Sequence, residues 1–469
     1  MIFFSSINRS KEKEVSYIRI VKTIVALSTP SGSGAIGIIR ISGNDCLSIA
    51  SIHFPKNKSW TPRKAILSKF YEKNGDILDE VLLVYFPGPN SYTGEDVIEI
   101  SFHGSSYILQ SALKELIQSG ADIAKAGEFT QRAFLNSKLD LVQAEAVGDL
   151  IASESRSAHD LAMRQMKGSV SIRLQELRQQ LIDFAALIEL ELDFVEEDVE
   201  FAQRSALYKL FRDLKTEIEK MLNTFTLGNA IKNGIPLILA GAPNAGKSTL
   251  LNRFLGEDRA IVTEVAGTTR DSIEEKFRLG DHLFRIVDTA GLRISKDEVE
   301  RLGIERSWKL MSEGQIILFL IDPTCCSLEE AKILEEEIVN RSPNADILKI
   351  LTKSDLWGDV DYLKHFPNTL HTGLNVDLKN IQTKLSSFID DDQWNGSSDV
   401  LIANIRHAEA LNSSLTSLKK AEDGLNNGVS GEFIAYELKD ALYSLGSITG
   451  EVVADDLLSS VFGRFCIGK

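Results

Sequence analysis

The chain has 469 residues, of which 43% are hydrophobic and 25% charged, and it carries a formal net charge of −15 at pH 7. That length exceeds what one hydrophobic core organises, so roughly two to four domains are expected. The composition is that of an ordinary soluble protein, and no uninterrupted apolar stretch is long enough to span a bilayer; the acidic balance argues against indiscriminate binding to phosphate backbones, while leaving room for a local basic face that meets RNA.

In chain order, residues 1–20 hold Ile2-Phe3-Phe4 and then Lys11, Glu12, Lys13 and Glu14. The apolar run is too short for a secretory signal and the glutamates do not suit a transit peptide, so the segment reads as an N-terminal extension or a start codon placed too early. Cys46, Cys325, Cys326 and Cys466 show no metal-ligand spacing. They fit a reducing compartment, and a cytoplasmic location is expected.

Residues 21–140 read as a small α+β domain. Apolar or alternating runs predict strands at Thr23–Leu27, Ile36–Ile41, Val81–Phe86 and Val97–Phe102, and a helix over Ser106–Gln118 that stops before Gly120. From residue 141 the pattern changes to long amphipathic helices, with Leu161, Met163, Met166, Leu174, Leu177, Leu181 and Leu187 recurring near one helical turn as a bundle core. The helical pattern resumes near residue 400, after the polar linker Asp391-Asp392-Gln393-Trp394-Asn395-Gly396-Ser397-Ser398. Residues 231–394 are therefore expected to be an α/β module inserted into a helical domain formed by 141–230 and 395–469.

The inserted module declares its ligand. Ile235-Pro236-Leu237-Ile238-Leu239-Ala240 reads as a buried strand, Gly241-Ala242-Pro243-Asn244-Ala245-Gly246-Lys247-Ser248 matches the P-loop pattern, and Thr249 begins a helix. The glycines let backbone N–H groups converge on phosphate oxygens, Lys247 reaches the outer phosphates, and the Ser248 hydroxyl can ligate magnesium. Phe284-Arg285-Ile286-Val287-Asp288-Thr289-Ala290-Gly291 is a strand ending in Asp-x-x-Gly, which places Asp288 to hold magnesium through water and the Gly291 N–H to sense the terminal phosphate. Between them, Gly267-Thr268-Thr269-Arg270-Asp271 reads as a switch loop in which one threonine, with Thr269 favoured, completes the magnesium shell.

Thr352-Lys353-Ser354-Asp355 reads the base. Asp355 can accept from the guanine ring N–H and exocyclic amine, a pattern adenine does not supply, and the Lys353 stem can cover the base face. Asn usually stands where Thr352 does; the shorter side chain predicts a weaker hold on guanine. Thr369-Leu370-His371 is a degraded form of the Ser-Ala-Lys element expected next. These features predict a GTP hydrolase. Leu292 follows Asp-x-x-Gly where many GTPases carry a water-orienting glutamine, so another group must position the water, and Glu300 at the start of a predicted helix is the candidate. Extra positive charge at the transition state could come from Arg270, from Arg293, or from a monovalent cation on Asn244.

The flanks carry further motifs: Gly37-Ile38-Ile39-Arg40-Ile41-Ser42-Gly43, Ser91-Tyr92-Thr93-Gly94-Glu95-Asp96, Gly127-Glu128-Phe129-Thr130-Gln131-Arg132-Ala133-Phe134-Leu135-Asn136, Lys138-Leu139-Asp140-Leu141, Gln143-Ala144-Glu145-Ala146, and the tail Phe465-Cys466-Ile467-Gly468-Lys469. With these, the chain resembles the MnmE (TrmE) family of tRNA-modification GTPases over residues 21–469. The resemblance implies a multidomain α/β plus α+β fold, in which the N-terminal α+β domain binds 5-formyl-tetrahydrofolate or a related one-carbon folate. Arg40, Glu99, Lys138 and Lys469 match the family's folate contacts. The resemblance also implies a homodimer that works with the flavoprotein MnmG (GidA), in a heterotetramer or larger complex, to place an aminomethyl-type group such as carboxymethylaminomethyl on carbon five of the tRNA wobble uridine. It implies potassium-stimulated hydrolysis, with Asn244, Thr263, Val265 and Thr268 on potassium, Ser248 and Thr269 on magnesium, and Glu300 activating water.

Ser31-Gly32-Ser33-Gly34-Ala35 replaces the family's usual Gly-Arg-Gly-Gly loop, and Ala126 stands where proline is common; both weaken the expectation for folate. Cys466 has no neighbouring histidine in sequence, so a buried or structural thiol is expected ahead of a covalent catalyst. A rival of another class is a regulatory or assembly GTPase that binds ribosomal RNA or proteins and makes no covalent product. The N-terminal block and the Cys-Ile-Gly-Lys tail favour the enzyme.

Overall fold

The computed structural model describes residues 22–57, 59–193, 204–257, 275–288, 316–343, 345–356, 362–366, 369–374, 377–390, 400–453 and 455–468. The chain forms two compact units, Met1–Gly148 with Thr449–Lys469, and Asp149–Ile448.

In the first unit, six strands form one sheet: β1 (Ile24–Leu27), β2 (Ile36–Ser42), β3 (Ile66–Tyr71), β4 (Ile77–Phe86), β5 (Val97–His103) and β6 (Asp122–Ile123), in the order β3-β4-β5-β2-β1-β6. Neighbours are antiparallel except β1 and β6. Ile39, Ile41, Val81, Leu83, Ile98 and Ile100 point to one side at period two and join a core with residues of the helices Cys46–His53 and Ser106–Gln118. The sequence reading omits β3. Ser68 and Lys69 interrupt its apolar run, Leu67 is exposed and only Phe70 is fully buried, as suits an edge strand.

The two polar motifs of this unit are stitched to each other. Arg132, buried, donates to Glu95 at 3.0 Å, to Glu128 at 2.9 Å and to the Lys22 carbonyl at 2.9 Å. Ser42 donates to Glu95 at 2.7 Å, and the Tyr92 and Thr130 hydroxyls meet at 2.8 Å. A guanidinium can be buried here because two carboxylates and a carbonyl occupy its donors.

The terminal segment packs within this unit as well. Leu458 and Phe462 share a core with Leu141 and Ala144, and Ile467 bridges Ala126.

In the second unit, helices before and after the inserted module pack on each other: Ile405–Asn426 lies against Arg204–Asn223, with an ion pair between Lys215 and Glu422. Phe184 of the helix Ser169–Asp193 meets Phe211 edge to face, with centroids 4.6 Å apart. Of the predicted stripe, Leu161, Leu174, Leu177 and Leu181 are buried. Met163 is half-buried, and Met166, the last residue of the helix Arg156–Met166, is exposed rather than in the bundle core. The side chain of Leu187 lies outside the described set.

The inserted module is a six-stranded sheet: β7 (Ile235–Gly241), β8 (Glu275–Leu279), β9 (His282–Asp288), β10 (Ile316–Ile321), β11 (Asp346–Leu351) and β12 (Leu370–His371), in the order β12-β11-β10-β7-β9-β8. All pairs are parallel except the β8–β9 hairpin. Leu237, Leu239, Leu318 and Leu320 share one core with residues of the helices Lys247–Glu257 and Lys379–Asp390. Ile238, Ala240, Ile317 and Phe319 share another with residues of the helix Leu328–Arg341. Helices on both faces explain why these strands are continuously apolar. Pro236 is tolerated because it pairs with β9 alone; the ladder with β10 begins at Leu237.

Candidate functional site

In a parallel sheet the carboxyl ends of the strands form the ligand edge. Register brings three of them together here: Leu320 pairs with Gly241, and Ile321 with Leu351, so β7, β10 and β11 end side by side. The P-loop leaves β7 at Gly241, whose φ is +150°. A Cβ there would lie 2.4 Å from the Leu320 carbonyl oxygen, so only glycine fits. Asn244, exposed, holds the left-handed region at φ +61°, and the Ala245 N–H donates to the Ala242 carbonyl at 3.2 Å. Lys247 opens the helix Lys247–Glu257, and its Nζ donates to the Gly241 and Ala242 carbonyls at 2.9 Å each. The ammonium thus lies across the mouth of its own loop. Ser248 and Thr249 are exposed in the first helical turn, where unpaired N–H groups and the helix dipole attract anions.

The segment Thr352-Lys353-Ser354-Asp355 follows directly on β11. Thr352 is buried, and its hydroxyl donates to the Ile321 carbonyl at 3.3 Å. Lys353 adopts φ +55°, and its ammonium binds Asp322 at 2.6 Å. It therefore pairs with a buried aspartate, not with Asp355. Asp322 is fully buried; the Thr324 N–H and hydroxyl donate to Oδ1 at 2.9 and 2.7 Å, and the Cys325 thiol donates to Oδ2 at 3.1 Å. Asp355 is exposed, and its Oδ1 accepts from the Leu374 N–H at 3.4 Å. Thr369, Leu370 and His371 run into β12, and the Ser354 N–H donates to the Thr372 carbonyl at 3.0 Å, which sets the two segments side by side.

Asp322 is the residue that the sequence reading missed. Its signal was available: a carboxylate directly after the apolar run Ile316–Ile321 must find partners when buried. Burial pushes its carboxyl up, but Lys353, Thr324 and Cys325 together outweigh burial and bring it down to about 2 from an ordinary 3.8. A depressed carboxyl stabilises the fold above the unfolded value and loses that contribution as pH falls from about 4 to 2, so Asp322 contributes about 2 kcal/mol at neutral pH. Asp322→Asn is expected to lower the melting temperature at pH 7 and to close the gap with wild type as pH falls below 4. A gap that stays constant with pH in thermal unfolding would refute this assignment.

Asp288 ends β9, but its side chain lies outside the described set. So do Thr263, Val265, Thr268, Thr269, Arg270, Thr289, Ala290, Gly291, Leu292, Arg293 and Glu300.

In the first unit, Arg40 of β2 and Glu99 of β5 are cross-strand partners, paired at 2.7 Å. The guanidinium lies 5.4 Å from the Tyr92 ring centre and 5.6 Å from that of Phe129, and it donates to the Gly468 carbonyl at 3.4 Å. Ser28 donates to the same carbonyl at 3.3 Å. The C-terminal tail therefore reaches Arg40, while Lys469 itself lies outside the described residues. Lys138 is exposed. Cys466 is exposed as well, which corrects the buried half of the expectation of a buried or structural thiol: its backbone carbonyl accepts from the Gly127 N–H at 3.4 Å while the residue stays on the surface. Among the described residues no cluster of His, Cys, Asp and Glu is arranged to hold a metal, and no helix is long and apolar enough to cross a membrane.

Comparison with known proteins agrees with these motifs. The family described as "MnmE helical domain" matches residues 141–466, and "GTP-binding protein TrmE N-terminus" matches residues 23–138. The chain is 43% identical over 462 residues to a protein named tRNA modification GTPase MnmE in Flavobacterium johnsoniae, covering 95% of this chain and 99% of that one. It is 42% identical to proteins of the same name in Christiangramia forsetii, covering 96% and 100%, and in Bacteroides thetaiotaomicron, covering 95% and 99%. With both family models matched and relatives 42% and 43% identical along nearly the whole chain, the chain belongs to the MnmE (TrmE) family of tRNA modification GTPases.

Proposed function

We propose that this protein hydrolyses GTP and, as a homodimer in the cytoplasm with the flavoprotein MnmG (GidA), installs an aminomethyl-type group on carbon five of the tRNA wobble uridine. The observation that supports the reading is that the P-loop with Lys247 and the segment with Lys353 and Asp355 follow strands that end side by side, in a chain of this family.

The residues present suit the ligands. Guanine is read by Asp355, with Lys353 held by Asp322 alongside it. Lys247 transfers its hydrogen bonds from the Gly241 and Ala242 carbonyls to the outer phosphates, so the loop is already shaped around that ammonium. Ser248 and Thr269 would hold magnesium, which supplies charge neutralisation on the phosphates. Asn244, Thr263, Val265 and Thr268 would hold potassium, which supplies the positive charge that an arginine finger provides in other GTPases. Glu300 orients the attacking water. In the N-terminal domain, the half-buried Arg40 between Tyr92 and Phe129 suits the flat ring and carbonyls of a one-carbon folate, together with Glu99, Lys138 and Lys469.

Modification of a tRNA transcript with the flavoprotein, GTP, potassium and a reduced folate tests the whole reading. Product is expected only with every component, and hydrolysis is expected to slow when sodium replaces potassium. Wobble nucleosides that are unchanged in a deletion strain would reject the modification role and favour an assembly GTPase.

A further inference from the structure

Arg253 lies in the phosphate-binding helix Lys247–Glu257, six residues beyond the P-loop lysine, and no motif claims it. Its guanidinium leaves the helix for the far end of the site: Nη1 donates to the Gly373 carbonyl at 2.8 Å and to the Thr372 hydroxyl at 3.2 Å. Gly373 is the residue against which Asp355 rests. A Cβ at Gly373 would lie 2.6 Å from Asp355 Oδ1 and 2.8 Å from the Ser354 hydroxyl, and the next N–H, of Leu374, donates to the same Oδ1. Thr372 in turn accepts from the Ser354 N–H. Arg253 therefore holds the loop that forms the back wall of the guanine-reading carboxylate.

Position 352 explains why such a hold matters. An Asn amide there would carry two N–H donors on a longer side chain. The Thr352 hydroxyl has one hydrogen, and it goes to the Ile321 carbonyl. We propose that Arg253 is a positioning residue for guanine: it ties the phosphate-binding helix to loop 372–374 and so fixes Asp355, a task that a longer side chain at 352 can share. A charged donor on a carbonyl and a hydroxyl is among the stronger hydrogen-bonded ties available to a loop.

The inference rests on the GTP-binding reading, and wild-type GDP binding is the control that separates the two: a wild type that ignores GDP sinks the function, not this tie. Arg253→Met in the full chain is expected to weaken GDP about tenfold, to lower the preference for GDP over IDP, which lacks the amine that Asp355 reads, and to raise KM with kcat within about twofold. Arg253→Lys is expected to recover part of the affinity, and adding Thr352→Asn to Arg253→Met to recover more. Equal thermal unfolding without nucleotide checks that Arg253→Met folds. The proposal is overturned if Arg253→Met binds GDP as wild type does, if the GDP-to-IDP preference is unchanged, or if Thr352→Asn gives no recovery.

Discussion

Asp355→Asn is expected to weaken GTP binding by roughly 100- to 1000-fold, because two charge-assisted hydrogen bonds to the base are lost and a guanine donor then faces an amide donor. The same substitution should raise affinity for xanthosine triphosphate, whose second ring carbonyl accepts what the new amide donates. The surroundings make this a clean exchange. Asp355 is exposed, its Oδ1 accepts from the Leu374 N–H of loop 372–374 at 3.4 Å, and a buried charge in this region is Asp322, which stays paired with Lys353. Unfolding should therefore be nearly unchanged while nucleotide preference inverts. Competition of labelled GDP by GTP and XTP checks it, and a variant that keeps the wild-type preference would show that another residue reads the base.

Glu300→Ala is the second large effect. If Glu300 orients the attacking water, as a carboxylate must when Leu292 occupies the usual glutamine position, turnover should fall roughly 100-fold. GTP affinity should stay within about threefold, since a group acting on water contributes little to the ground-state complex. Single-turnover hydrolysis and equilibrium binding separate the two quantities. Loss of binding in proportion to loss of rate would assign Glu300 to holding the nucleotide instead.

Both predictions start from sequence motifs, and their legibility has a physical basis. Phosphate recognition needs backbone N–H groups at a helix start and glycines where backbones crowd, so Gly241, Gly246 and Lys247 had to appear at fixed spacing on one short segment. Elements whose burial repeats cleanly were equally plain: β2, β5 and the helix Ser106–Gln118 fall within about a residue of their predicted bounds. β3 was not legible, because an edge strand buries one aromatic and leaves the rest of its pattern mixed. Met166 belongs to the same class: periodicity marks the face of a helix but not where the neighbouring helix stops covering it.

By itself the sequence determined the phosphate-loop motif and the family, and it proposed Asp355 as the reader of guanine, since each is written in contiguous residues whose spacing the chemistry dictates. Only the tertiary structure decided which charges meet. Asp322 finds Lys353 because β10 and β11 end in register, Arg253 finds Gly373 across the site, Arg132 gathers Glu95 and Glu128, and the tail reaches Arg40 from the far end of the chain. Such pairings depend on strand order and register, which bring together residues that hydrophobic periodicity leaves unrelated.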